Sequence, residues 1–214
     1  MKHKRGFTLI ELLVALLIFG FMISALTSIY ATATRHMYQE YRQNVLKINT
    51  LIAMRTIQHD LRTATRLDYP AFGSADNEVA FAANVDHVSG CYPVSATSPS
   101  SWHKFCYKDG TLYHYYADIP ASGPACGTLG APIWTGPQGG YPPCGSAGNK
   151  STRVILLEKV SPTVLMFSRA GADKICGKVD VNLRVFWSPP VTNNAQRNVD
   201  HTLSTSVTAS MPCQ

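Results

Sequence analysis

From Phe7 to about Ala31 the chain is predominantly apolar, with one carboxylate, Glu11, near the start of the run. As a helix, these 25 residues would rise roughly 37 Å, enough to cross a hydrocarbon core of about 30 Å. After Ala31 the pattern turns polar without losing its helical period. Met37, Tyr41, Val45, Ile48, Ile52 and Leu61 recur at spacings of three and four, with Met54 and Ile57 alongside, and neither Gly nor Pro interrupts between Phe21 and Tyr69. One helix is predicted from about Thr8 to Leu67, its second half packing that apolar stripe on the rest of the protein. A soluble coiled coil fits less well, because only about four heptads are available and the spacing drifts.

From residue 68 to 214 the period changes to two. The stretches EVAFAANV, KFCYKDGTLYHYYA, RVILLEKV, TVLMFSRA, KVDVNLRVFW and HTLSTSVTAS alternate or are rich in β-branched residues. Lys108-Asp109-Gly110 is a hairpin turn signal. The expected head is a meander of antiparallel strands laid against the helix stripe, interrupted by a Pro/Gly-rich surface loop at residues 119–149 that contains Trp134 and Tyr141. That loop is expected either to fold on itself, stapled by cysteines, or to present Trp134 and Tyr141 as exposed anchors for a partner.

The net charge of +6 suggests nucleic acid or an anionic surface until its location is considered. Lys2, Lys4 and Arg5 supply three charges ahead of the apolar run, leaving an ordinary +3 for the remainder. No A-x-A-like site follows the run, so it is expected to span and stay, and the basic start places the N-terminus on the cytoplasmic side with the head outside. All six cysteines, Cys91, Cys106, Cys126, Cys144, Cys176 and Cys213, lie in that outward part, where disulfides are their natural use. Six cysteines allow fifteen connectivities. The working expectation pairs Cys91 with Cys106, Cys126 with Cys144 and Cys176 with Cys213. A Cys2His2 zinc set of His87, Cys91, His103 and Cys106 has the spacing but not the compartment, so no metal is assigned.

Gly6-Phe7-Thr8-Leu9-Ile10-Glu11, behind a short basic leader and in register with the apolar helix, resembles the signature of type IV prepilins and type II secretion pseudopilins. The resemblance implies an α+β pilin-like fold, with a long N-terminal α-helix packed on an antiparallel β-sheet head with disulfide-stapled loops. It also implies a division into a leader at 1–6, a membrane or filament-core helix at 7–31, an amphipathic continuation at 32–67 and a head at 68–214. Prepilin peptidase would cut between Gly6 and Phe7 and methylate the new amino group of Phe7. Glu11 would face the amino terminus of a neighbouring subunit, which offsets the desolvation that an isolated carboxylate suffers.

The helix end RTIQHDLRTATRL, with Asp60, Leu61 and Arg62, is similar to that of W-type minor pilins and J-type minor pseudopilins, and the strand order after Tyr107 resembles their heads loosely. Read without the resemblance, those charges are a solvated helix face. The implied function is that of a minor pilin in the inner membrane, with its head in the periplasm and then at the pilus tip. The implied partners are prepilin peptidase, other minor pilins, the major pilin and the inner-membrane assembly platform. The alternatives are a J-like pseudopilin, or a tip pilin for adhesion or DNA capture. Loop 119–149 holds no Lys or Arg, which argues against phosphate binding there, and nucleic acid stays open for the remainder of the head.

For catalysis there is no G-x-S-x-G, H-E-x-x-H, C-x-x-C or phosphate-cradling loop. No catalytic residue and no cofactor are assigned, and His36, His59, His114 and His201 read as surface or packing residues.

Overall fold

The computed structural model describes residues 8–120, 123–147, 151–169, 177–188 and 198–210. Its one long helix, α1, spans Leu9–Thr63. It stops earlier than the expected Leu67 because Thr65 turns into the first sheet, its amide donating to the Ala82 carbonyl. Among the described residues nine strands follow: β1 (Arg66–Tyr69), β2 (Ala75–Asp76), β3 (Glu78–Ala83), β4 (Ser100–Lys108), β5 (Thr111–Ile119), β6 (Thr152–Glu158), β7 (Phe167–Arg169), β8 (Lys178–Trp187) and β9 (Val199–Thr208). The described residues fall into two compact units, the helix up to Val45 and a head that begins at Leu46 and includes the last turns of α1.

The head is α+β, with two antiparallel sheets where a single meander was expected. One has the order β1-β3-β4-β5-β6 and the other β2-β7-β8-β9. The central hairpin β4–β5 is closed by Asp109 and Gly110, both with positive φ (48° and 81°). This two-residue loop matches the twist of the flanking strands and needs a residue such as Gly at its second position. The sheets meet where Val160 bridges Val185 and the Ser161 amide donates to the Arg184 carbonyl.

On α1 the buried positions within the head are Thr50, Ala53, Met54, Ile57 and Leu61. They share one stripe at 100° per residue, whereas Ile48 and Ile52 lie on the opposite side of the helix and are exposed, as are Met37 and Tyr41. The helix thus has two apolar faces, and the head covers the one that only Met54, Ile57 and Leu61 represented in the sequence pattern. The core formed there joins Ile57 and Leu61 to Phe81, Phe105 and Leu112 of the first sheet and to Val181, Leu183 and Val185 of the second.

The centre of the first sheet is covered on both faces. Residues 103, 105, 112 and 114 face the helix, while Trp102, Cys106 and Tyr115 face a second apolar cluster with Ala82, Val85 and Trp134. Trp134 comes from the Pro/Gly-rich loop, which therefore serves as the sheet's second layer. This explains why β3 is buried at four consecutive positions and does not alternate.

Candidate functional site

The chemistry nearest the N-terminus is local to the helix end. Thr8 donates its backbone N–H and its hydroxyl to Glu11 Oε2 (2.9 and 3.0 Å), and the Glu11 amide donates back to Thr8 Oγ1 (3.4 Å). This is a reciprocal capping box, and it sets a negative charge where the helix dipole favours one. Beyond it, every large apolar side chain from Leu9 to Tyr30 exposes at least 45% of its surface. An 18-residue window of the helix has a mean hydropathy of 2.6 with none of it buried. Such a surface is stable only against lipid or other apolar helices. Gly6 and Phe7, the expected cleavage junction, lie outside the described residues.

Residues 1–27 match the family model for the prokaryotic N-terminal methylation motif. Over those residues the chain is type IV prepilin-like. No curated protein and no solved structure matches it. The motif and the apolar helix that continues from it fit membrane anchoring and a place in a pilus or pseudopilus, and the motif implies processing by prepilin peptidase and assembly with other pilins.

Among the described residues of the head two disulfides form, Cys91–Cys126 and Cys106–Cys144, with Cα separations of 5.6 and 5.9 Å. This corrects the expected pairing of Cys91 with Cys106 and of Cys126 with Cys144. The loop does not close on itself, and each of its ends is fixed to something else. At one end, the Cys126 amide donates to the Pro93 carbonyl, the Tyr92 amide to Pro132 and the Trp134 amide to Gly90, which brings Cys126 beside Cys91. Gly90 has φ +71°, and a Cβ there would lie 2.6 Å from Arg66 Nη1 and 3.0 Å from the Trp134 carbonyl. At the other end, Lys104 Nζ donates to the Pro142 carbonyl (3.1 Å) and pairs with Glu78 (2.7 Å), while the Tyr115 hydroxyl donates to the Ser146 carbonyl (2.9 Å). Cys144 is thereby held over Cys106, whose side chain points to this face. Cys91 and Cys106 of the Cys2His2 set that was not assigned are both consumed by these bonds. Cys176 and Cys213 lie outside the described residues.

Trp134 and Tyr141, exposed anchors in one of the two readings of the loop, turn inward onto Asp68. Trp134 Nε1 donates to Asp68 Oδ2 (3.2 Å), the Tyr141 hydroxyl donates to the same oxygen (2.6 Å), and Arg66 Nε donates to Oδ1 (2.8 Å). Trp134 is 6% exposed, and Tyr141 packs edge-on to Trp102. Burial, reinforced by the Asp68 charge, pushes the Tyr141 phenol well above its ordinary range. Asp68 was missed in the sequence. A carboxylate beside Arg66 in a four-residue strand carries no signal of its two aromatic donors from the distant loop.

Proposed function

We propose that this chain is a minor pilin of the W type. It is inserted in the inner membrane with its head in the periplasm, cut between Gly6 and Phe7, N-methylated at Phe7, and assembled with other minor pilins to prime or cap a type IV pilus. The observation that carries the reading is the methylation motif running directly into a helix whose large apolar side chains from Leu9 to Tyr30 are exposed among the described residues. The Asp60-Leu61-Arg62 ending of that helix supports a W- or J-type minor subunit, and the disulfide-linked head supports an extracytoplasmic destination. On this reading residues 1–6 are the leader and 7–31 the membrane and filament-core segment.

Glu11 has a partner in its own helix end, which lets the processed subunit wait in the membrane at a lower cost than the about 3 kcal/mol of an unpaired carboxylate. In the filament the amino terminus of a neighbour replaces Thr8 as its partner and fixes the register.

The test is deletion of the gene and complementation with wild type, Gly6→Ala or Glu11→Ala, with surface filaments imaged and secreted hydrolases assayed in the same cultures. Gly6→Ala leaves an uncut precursor, and Glu11→Ala inserts in the membrane but does not restore filaments. Loss of secretion with filaments intact would make the chain a type II secretion pseudopilin instead, and restoration of both by Glu11→Ala would remove the register role.

A further inference from the structure

Where the end of α1 crosses the central hairpin, three side chains from distant parts of the chain converge. His103 on β4 and His114 on β5 are diagonal neighbours on the helix-facing side of the sheet, since His103 pairs with Tyr116 and Phe105 with His114. Asp60, in the last turns of α1, meets them from above. His103 Nδ1 and His114 Nε2 are 3.1 Å apart, and Asp60 Oδ2 stands 3.6 Å from the second and 3.8 Å from the first. The two distances from the carboxylate oxygen are too long for hydrogen bonds. They are close to the edge of a tetrahedron about an ion bonded at about 2.0–2.1 Å, which is roughly 3.4 Å.

We propose that Asp60, His103 and His114 form a binding site for a divalent transition-metal ion, Zn²⁺ in first place, with water as the fourth ligand. The donor set of two imidazoles and one carboxylate suits Zn²⁺. Each ligand is also braced. Ser101 Oγ lies 3.2 Å from His103 Nε2, so Nδ1 is the ring nitrogen turned to His114 Nε2, with which it shares a 3.1 Å hydrogen bond that an ion would replace, and His59 Nδ1 lies 3.1 Å from Asp60 Oδ1. Phe81 stacks on His103 at 5.2 Å between ring centroids and Phe105 on His114 at 4.1 Å, which locks both rings in place.

The side chains of the three ligands are only 9–16% exposed, so the site is largely shielded while His59, at 81%, marks its open side. A bound ion ties the last turn of α1 to the β4–β5 hairpin within the head. The site depends on the geometry of the head alone and holds whichever filament the chain joins.

The test uses the full chain in detergent, purified without reductant and stripped with EDTA, then titrated with ZnCl₂ against a chromophoric chelator. Cobalt(II) serves as a spectroscopic stand-in. We expect one Zn²⁺ equivalent to bind, to raise the melting temperature, and to give the intense visible bands of tetrahedral Co²⁺. Asp60→Asn and His114→Gln, both close in shape to the native side chains, each lose that equivalent. Ser101→Ala, which removes only a positioning contact, weakens it about 10- to 100-fold, and His201→Ala leaves it unchanged. The proposal is overturned if the wild type binds no Zn²⁺, or if Asp60→Asn and His114→Gln, shown folded by circular dichroism, bind it as the wild type does.

Discussion

Removing the Cys106–Cys144 bond, by Cys106→Ala with Cys144→Ser, tests whether the Pro/Gly-rich loop is a structural layer of the head. The bond closes a segment with a sequence separation of 38. In the chain-entropy view, opening a loop of that length releases the unfolded state by about 4 kcal/mol at 25 °C. At about 2–4 °C per kcal/mol for a protein of this size, the melting temperature falls by roughly 10 °C. The Cys91–Cys126 bond, with a separation of 35, carries nearly the same entropic effect and serves as an internal control. The two differ in what else is lost. Cys106 is fully buried in the cluster with Trp102, Tyr115 and Trp134, so its removal also loosens apolar packing, whereas Cys91 lies in a connection at the edge. The Cys106 pair should therefore cost more than the Cys91 pair. The assay is urea unfolding of the detergent-solubilised chain followed by tryptophan fluorescence, with the pairing checked by proteolytic mapping without reduction. A loss below about 1 kcal/mol for both variants, or a map joining Cys91 to Cys106, would refute the reasoning.

Ile57→Ala should destabilise the head by about 2–5 kcal/mol, since Ile57 is fully buried between both sheets. Ile52→Ala, on the exposed face, should change stability by no more than about 0.5 kcal/mol, and equal effects in the same unfolding experiment would show that the buried stripe is misplaced. Alkaline pH should weaken the loop's attachment through Tyr141. Its folded pKa is raised above the unfolded value of about 10, so its contribution is complete below pH 10 and declines as the pH climbs above it. Tyr141→Phe should flatten stability against pH above 10, and an unchanged slope would dismiss this cause.

The parts of the fold legible in the sequence are those whose cause is local. The uninterrupted apolar run, the alternation in KVDVNLRVFW and the Asp109-Gly110 turn each specify their element through neighbouring residues. Strands β1 and β2, of four and two residues, are too short to show a period and exist because partners pair with them. The helix stripe was misassigned because α1 carries apolar residues on two faces, and local pattern does not say which one a head will cover. The loop's fold depends on Asp68, Lys104 and Gly90, which it meets only in three dimensions. Asp60 and His114 read as a solvated charge and a packing residue for the same reason, since nothing in either neighbourhood announces the other.

The loop is held at the bonds of Cys126 and Cys144, at the backbone bonds of Pro132 and Trp134 and by the inward side chains of Trp134 and Tyr141, and between these points several glycine positions are open. Gly127, Gly130, Gly136, Gly139 and Gly140 have open space where a side chain would stand, and Leu129 is fully exposed. The segments between the anchors are thus natural insertion points, at which foreign peptides could be displayed on the head without disturbing the sheet beneath.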